Sequence, residues 1–263
     1  DCLDLPPNII KKLYAHLTTR HRKIYQSFVT NTLEDIRTRT GKLGTRDIVN
    51  AFPYMQMALD NPSLLLTHSD TLDSDILKEV NRYDFEKDHA KVDLLLDILE
   101  ERIEENGERG IIWVLHPDTA HKLTHLLQKY NPLYLIGEIE DSQRMPIIEQ
   151  FKKQTEHKVL IAGIPVLNTS VTITEASFQV YFERVYNFSQ YWQSIARIHR
   201  IGKSKSSLTY ILIYNETIDI ALDINLQNKD ILNSKILSKE FLTLDEWKKI
   251  FNASDEGKDI LNW

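Results

Sequence analysis

The chain has 263 residues, of which 42% are hydrophobic, and its formal net charge is −6. This length is sufficient for one large or two modest domains with a sizeable buried core. Eight glycines and eight prolines are too few for a collagen-like or low-complexity chain. No apolar run approaches the ~18 residues that cross a bilayer, so we expect a soluble protein with no membrane partner.

Cysteine content and the start of the chain limit the class further. Cys2 is the only cysteine, which excludes an internal disulfide bond and any multi-cysteine zinc site. The chain begins at Asp1 without a methionine or a signal-peptide pattern. We therefore expect it to be a piece of a longer polypeptide.

Residues 1–88 are predicted to form a lead-in and a helical insertion. The segment Ile9–Leu17 favours an extended strand, and Thr18 is a suitable N-cap for a following helix. That helix would bury Ile24, Phe28, Leu33 and Ile36. Residues 37–90 are polar and irregular with short apolar clusters, and we expect them to pack on the next domain.

Residues 89–227 are predicted to form an α/β domain, because short apolar runs alternate with stretches of helical periodicity. Such alternation is typical of a parallel sheet flanked by helices, which binds ligands beyond the carboxyl ends of its strands. The predicted strands are Gly110–Leu115, Leu133–Ile136, Val159–Ala162, Phe178–Phe182 and Leu208–Tyr214. The predicted helices include Asp141–Phe151 and Ser189–Arg200.

Residues 228–263 are predicted to form a helical tail. They contain Thr243 and Glu246 at capping-box spacing before further apolar residues. The capping box accounts for the acidic pair in that segment without a metal ion. His121 and His125 lie at i, i+4, but Lys122 stands where a zinc-protease motif requires Glu. We predict no metal site in this chain.

No segment fits the phosphate loop G-x-x-x-x-G-K-[ST]. Gly202-Lys203-Ser204 has the right ending, but Arg197 occupies the position of the first glycine. A phosphate loop that binds a nucleotide would therefore have to lie outside this sequence.

The uneven distribution of acidic and basic residues singles out one segment as a candidate functional site. Residues 60–109 hold fifteen acids and six bases, whereas the stretch between Glu183 and Glu216 holds no acid. Gln193, Arg197 and Arg200 within it are spaced at i, i+4 and i+7, which places them on one face of the predicted helix. Two neighbouring arginines would repel each other unless a polyanion lay opposite, and a triphosphate suits planar guanidinium groups.

The sequence Q-S-I-A-R-I-H-R-I-G-K from Gln193 to Lys203 resembles motif VI of the Swi/Snf-type DNA-dependent ATPases of helicase superfamily 2. The family pattern is Q-x-x-x-R-x-H-R-I-G-Q. Upstream, Ala176-Ser177 and Val180 to Glu183 are similar to the A-S-x-V-I-x-x-D strand of the family. Glu183 precedes Gln193 by ten residues, as the family's Asp does.

The likeness extends over nearly the whole chain. Gly110–Leu127 is similar to motif IV, and Leu5-Pro-Pro7 is similar to the lead-in of the second lobe. The resemblance therefore implies the C-terminal, second RecA-like lobe of a two-lobe motor. Asn168 and Ser170 stand where motif V carries glycines, and together with Lys203 and Glu183 they indicate a diverged, viral or bacterial-like member.

The resemblance implies a DNA translocase that hydrolyses ATP. ATP and Mg would be bound mainly by an N-terminal RecA-like lobe of the same polypeptide, so the isolated chain should be inactive. Arg200 would be the arginine finger, Arg197 a second γ-phosphate contact, and Gln193 a link to the interface between the lobes. The other residues of these motifs near the ATP cleft would be Glu183, His199 and Gly202.

Double-stranded DNA is the second partner that the resemblance implies. By position in motifs IV and V, candidate phosphate contacts are Thr119, Thr169 and Thr172. Three lysines could add positive charge: Lys122, Lys152 and Lys158. The expected location is cytoplasmic at a nucleoid, intracellular and virus-encoded, or nuclear if the source is eukaryotic.

Two alternatives stay open at this point. A strand-separating DNA or RNA helicase of the same superfamily usually has G-R-x-G-R in motif VI, where this chain has Ile198 and His199 between its arginines. The second alternative is a helicase-like scaffold that does not catalyse a reaction. ATP hydrolysis by the full-length protein, with and without DNA, would separate the scaffold from the motor.

Overall fold

A six-stranded sheet and nine α-helices account for most of the residues described in a computed structural model, which are 8–41, 45–166, 172–198 and 206–227. The predicted helical tail lies outside these residues. Contacts divide the described chain into two units, one of residues 8–14 and 91–212 and one of residues 15–90 and 213–227. The predicted boundaries at 88 and 227 stay a prediction.

The sheet has the order β1-β6-β5-β2-β4-β3, and its strands are parallel. The strands are β1 (Asn8–Ala15), β2 (Gly110–Val114), β3 (Leu133–Leu135), β4 (Val159–Gly163), β5 (Phe178–Tyr181) and β6 (Ser207–Tyr214). Every residue of β2, β4 and β5 is buried. These central strands read as continuous apolar runs because helices cover both faces of a parallel sheet. The predicted parallel sheet flanked by helices is confirmed.

Helices follow the strands of this unit in alternation. They are α5 (Ala90–Leu99, continued by a π-helical turn Glu100–Glu105), α6 (Pro117–Leu126), α7 (Asp141–Lys153) and α8 (Phe188–Ile195). Gly110 pairs with both Val159 and Phe178, so β2, β4 and β5 start level with one another. Their carboxyl ends therefore share one edge of the sheet.

The other unit is helical. Its elements are α1 (Thr19–Thr40), α2 (Thr45–Asp60), a 3-10 segment (Pro62–Thr71), α3 (Ser74–Asn81), α4 (Phe85–Asp88) and α9 (Ile218–Gln227). The Thr18 side chain accepts a hydrogen bond from the His21 N–H, which confirms the predicted N-cap of α1. Among the described residues, no helix is both long enough and apolar enough to span a membrane.

The described residues of segment 37–90, whose sequence pattern is polar and irregular, are mostly helical. Pro53 lies inside α2, and the 3-10 segment that follows contains His68 with non-helical backbone angles. Both features interrupt the 3.6-residue periodicity that reveals a helix in a sequence.

Candidate functional site

Three loops meet at the carboxyl edge of the sheet. The N–H groups of Phe182 and Glu183, just past β5, donate to the carbonyl of Trp113 in β2, at 3.1 and 3.2 Å. The Ile164 N–H, just past β4, donates to the carbonyl of Val114 at 3.0 Å. The loops that follow β2, β4 and β5 are thereby fixed side by side, where parallel sheets bind ligands.

Glu183 is the central residue of this edge and is fully buried. One carboxylate oxygen accepts from the N–H groups of Leu115 and His116, at 2.6 and 2.9 Å. The other accepts from the Thr119 hydroxyl at 2.6 Å. His116 Nδ1 lies 3.4 Å from the first oxygen. A buried carboxylate is costly unless it is hydrogen-bonded or paired, and here both oxygens have partners.

These contacts explain the protonation state of Glu183. Burial alone would raise its pKa, but His116 and the hydrogen bonds from His116 and Thr119 hold the pKa below its ordinary value. The carboxylate also lies at the N-terminus of α6, where the helix dipole favours negative charge.

Thr119, a predicted DNA contact, belongs to this arrangement. Its side chain is fully buried and its hydroxyl donates to Glu183. A hydroxyl so engaged is not exposed to a DNA phosphate in this conformation, so Thr119 orients the loop between β2 and α6.

The helix that carries the basic motif is shorter than predicted. The sequence pattern predicts a helix over Ser189–Arg200, but α8 ends at Ile195 and Ala196 is its C-cap. Arg197 follows in a turn, so Gln193 and Arg197 do not share a continuous helix. The reason is local: the Arg197 N–H donates to the carbonyl of Ser194 at 3.1 Å, within a tight turn.

Arg197 is buried, with 8% of its surface exposed, and its backbone is anchored on both sides. Its carbonyl accepts from the Ile173 N–H at 3.1 Å. The next carbonyl, that of Ile198, accepts from the Ser207 hydroxyl at 3.3 Å. Thr172, a predicted DNA contact, is half-buried. It directly precedes Ile173, whose N–H donates to the Arg197 carbonyl.

The remaining predicted residues fall in several places. Gln193 is exposed and donates to the Ser189 hydroxyl at 3.2 Å. Lys122 pairs with Asp118 on α6 at 2.8 Å. Four of the predicted site residues lie outside the described residues: Arg200, His199, Gly202 and Thr169.

Lys152 and Lys158 lie near the opposite, amino-terminal edge of the sheet. Lys152 is in the last turn of α7, and Lys158 directly precedes β4. The Lys158 carbonyl accepts from the N–H of Gly110, the first residue of β2. The predicted DNA contacts that the structure describes therefore do not gather at one edge.

Sequence reasoning identified Glu183 but not its partners. A carboxylate directly after a buried strand has to be neutralised, and a helix N-terminus after the neighbouring strand is the available partner. That signal was present in the sequence. No comparable sequence pattern predicts the contact between Tyr181 and Ser194.

The chain is similar in sequence to known helicases. The sequence of residues 90–202 matches the helicase conserved C-terminal domain. This match covers the strands and helices from α5 to α8. An uncharacterized ATP-dependent helicase of Mycoplasma genitalium is 29% identical over 218 residues, which are 82% of this chain and 19% of that protein. The chain spans 27%, 19% and 23% of the lengths of the first three curated relatives it matches.

Solved structures share the fold of the helicase domain. The SWI2/SNF2 ATPase core of Sulfolobus solfataricus in complex with dsDNA has a TM-score of 0.69 at 21% identity, covering 94% of this chain and 50% of that one. The C-terminal part of the Fun30 ATPase domain has a TM-score of 0.66 at 19% identity, covering 95% and 99%. The predicted fold, that of a RecA-like C-terminal lobe, is confirmed.

Proposed function

We propose that this chain is the C-terminal half of an ATP-dependent double-stranded DNA translocase. It would supply arginine fingers to ATP and Mg bound on an N-terminal RecA-like lobe of the same polypeptide. The observation that carries the proposal is the buried, doubly anchored backbone of Arg197 within a motif that resembles motif VI. A guanidinium that stabilises a transition state has to be held in place before the reaction.

Arg200 is the proposed finger, and Arg197 a second contact to the γ-phosphate. Phosphoryl transfer depends on positioning and charge stabilisation, and an arginine finger contributes ~10³ to 10⁵ in rate. Gln193, Glu183, His199 and Gly202 would connect this contact to the rest of the lobe. The names of the relatives support hydrolysis of ATP by the full-length protein, since several are called ATP-dependent helicases.

DNA is the proposed second ligand, tracked along its phosphates. The Sulfolobus core that shares this fold was solved with dsDNA, and ZRANB3 of Bos taurus, 25% identical over 164 residues, is named a DNA annealing helicase. Thr169 and Thr172, in the stretch after β4, are the proposed phosphate contacts, with Lys122 adding charge. Phosphate contacts carry no sequence information, which suits a translocase. The intracellular location predicted above, at a nucleoid or in a nucleus, suits such a ligand.

A strand-separating helicase is the second candidate, because the relatives carry the word helicase in their names. Ile198 and His199 between the two arginines favour the translocase, since unwinding members usually have glycine there.

The test compares DNA forms and outcomes in the full-length protein. We expect ATP hydrolysis to be stimulated more by duplex than by single-stranded DNA, and we expect displacement of a triplex-forming strand without unwinding of a forked duplex. Robust unwinding of the forked duplex without triplex displacement would favour the helicase. If DNA did not stimulate ATP hydrolysis at all, only the alternative of a non-catalytic scaffold would remain. The isolated 263-residue lobe should show no turnover under the same conditions.

A further inference from the structure

A hydrogen-bonded pair of side chains ties α8 to the sheet just before Arg197. Tyr181, the last residue of β5, is fully buried, and its hydroxyl lies 2.6 Å from the hydroxyl oxygen of Ser194 on α8. Ser194 is also buried, with 3% of its surface exposed. The contact is therefore between two groups that have left water and depend on each other.

The direction of the hydrogen bonds follows from the geometry. The Ser194 hydroxyl lies 2.6 Å from the carbonyl of Tyr191, which can only accept, so Ser194 is the donor there. Its oxygen is then the acceptor for Tyr181. The chain of donors thus runs from Tyr181 to Ser194 and on to the helix backbone.

Tyr181 is itself held rigidly. Its ring stacks on Trp113, with centroids 6.0 Å apart and planes at 19°, and contacts the ring of Tyr191 at 5.0 Å. Burial first, and then the neighbouring Tyr191, raise the pKa of Tyr181 well above its ordinary value. The phenol therefore stays a proton donor throughout the pH range in which proteins work.

Ser194 links this pair to Arg197. Its hydroxyl is bound to the sheet through Tyr181, and its carbonyl accepts the Arg197 N–H at 3.1 Å. Because α8 ends at Ile195, no helix hydrogen bonds continue through Arg197 to define its direction. The anchor at Ser194 does so instead.

We infer that Tyr181 is a positioning residue for Arg197, acting through Ser194. The inference rests on the proposed contact of Arg197 with ATP phosphate. Side chains that orient a functional group from behind typically contribute tenfold to hundredfold to activity, as they do around metal ligands.

The test is Tyr181→Phe in the full-length protein, which removes the hydroxyl and keeps the ring. The matched control is Thr209→Val, which removes an equally buried hydroxyl on β6 that accepts from Gln179 at 2.8 Å and donates to Asn8 at 2.9 Å. We expect Tyr181→Phe to lower the kcat of DNA-stimulated ATP hydrolysis by about tenfold with KM for ATP within about twofold. The control should keep kcat within about twofold, although it leaves two polar groups without their partner.

Combination with Arg197→Ala separates positioning from a general effect on folding. If Tyr181 acts through Arg197, the double variant should be no slower than Arg197→Ala alone. Either of two results would overturn the inference and leave the proposed function intact. One is a double variant in which the separate effects of Tyr181→Phe and Arg197→Ala on kcat multiply. The other is an equal kcat for Tyr181→Phe and Thr209→Val. If Arg197→Ala itself kept kcat within about twofold, the proposed role of Arg197 would fail, and the inference with it.

Discussion

Two buried charged residues close the two edges of the sheet in opposite ways. Glu183 at the carboxyl edge accepts hydrogen bonds from the first residues of α6 and the loop before it. Arg109 at the amino edge donates to carbonyls at and beyond the end of α7. A strand–helix–strand connection places helix N-termini at the carboxyl edge and helix C-termini at the amino edge. An acid therefore suits the first edge and a base the second.

The Arg109 cluster consists almost entirely of backbone groups. The guanidinium donates to the carbonyls of His157 at 2.9 Å, Gln154 at 3.2 Å and Phe151, and lies 4.2 Å from the centroid of the Phe151 ring. Burial lowers the pKa of Arg109, and the charge of Glu175 opposes that change. The two edges therefore differ in structure: Glu183 orients the loop between β2 and α6, whereas Arg109 closes the end of a helix.

The largest effect on stability is expected at the carboxyl edge. Glu183→Ala leaves the N–H groups of Leu115 and His116 and the Thr119 hydroxyl without their acceptor. We expect the free energy of unfolding to fall by about 3 to 5 kcal/mol. Denaturant unfolding measures this, with Glu138→Ala as control, an exposed glutamate expected within about 0.5 kcal/mol. A loss below about 1 kcal/mol for Glu183→Ala would contradict the central place of this carboxylate.

The amino edge should affect stability without affecting catalysis. Arg109→Met removes the donor for three buried or partly buried carbonyls, and we expect a loss of about 2 to 4 kcal/mol. Where the variant is folded, kcat in the full-length protein should stay within about twofold. Lys129→Met, an exposed control, should change stability by less than about 1 kcal/mol. A tenfold loss of kcat in folded Arg109→Met would show that the edges do not differ in function.

Gly110 sharpens the same comparison at the start of β2. A Cβ at this position would lie 2.3 Å from the ring of Phe178, its partner on β5. Gly110→Ala should therefore destabilise the protein by about 1 to 3 kcal/mol through overpacking. Gly137→Ala is the matched control, since no atom lies within 4 Å of the added carbon. Equal unfolding midpoints for the two variants would rule out the tight contact.

The smallest effect is the pH dependence of the carboxyl edge. The pKa of Glu183 is lowered in the folded protein from an ordinary value of 4.5, so its stabilising contribution is complete above that value. It is lost as the pH falls through the folded pKa. The difference in unfolding free energy between the native protein and Glu183→Gln should shrink as the pH falls below about 4.5, by about 1.4 kcal/mol per unit of pKa shift. A difference that grows on acidification would reverse this assignment.

Local sequence pattern predicted the sheet well because its central strands β2, β4 and β5 are buried on both faces. Predicted strands such as Gly110–Leu115 and Leu208–Tyr214 differ from β2 and β6 by one residue at an end. The end of α8 was predicted wrongly, since Ile195 and Ile198 continue the helical spacing although a tight turn at Arg197 ends the helix. Periodicity of apolar residues carries no information about such a turn.

The candidate site was predictable where a motif carries it and not where packing does. Gln193 and Arg197 were found from their spacing, and Glu183 from its distance to Gln193. The bond from Thr119 to Glu183 joins residues 64 positions apart, and Tyr181 is one tyrosine among eleven. Residue type and sequence position alone therefore identify neither the Thr119–Glu183 hydrogen bond nor the contact of Tyr181.

The proposed arginine finger of this lobe is tested most directly by the kcat of Arg200→Ala in the full-length protein. We expect kcat for DNA-stimulated ATP hydrolysis to fall by ~10³ or more, while affinity for ATP stays within about tenfold, because the finger acts in the transition state. Thr209→Val, which lies outside the motif, should keep native turnover. A fall in kcat of less than tenfold for Arg200→Ala would contradict the claim.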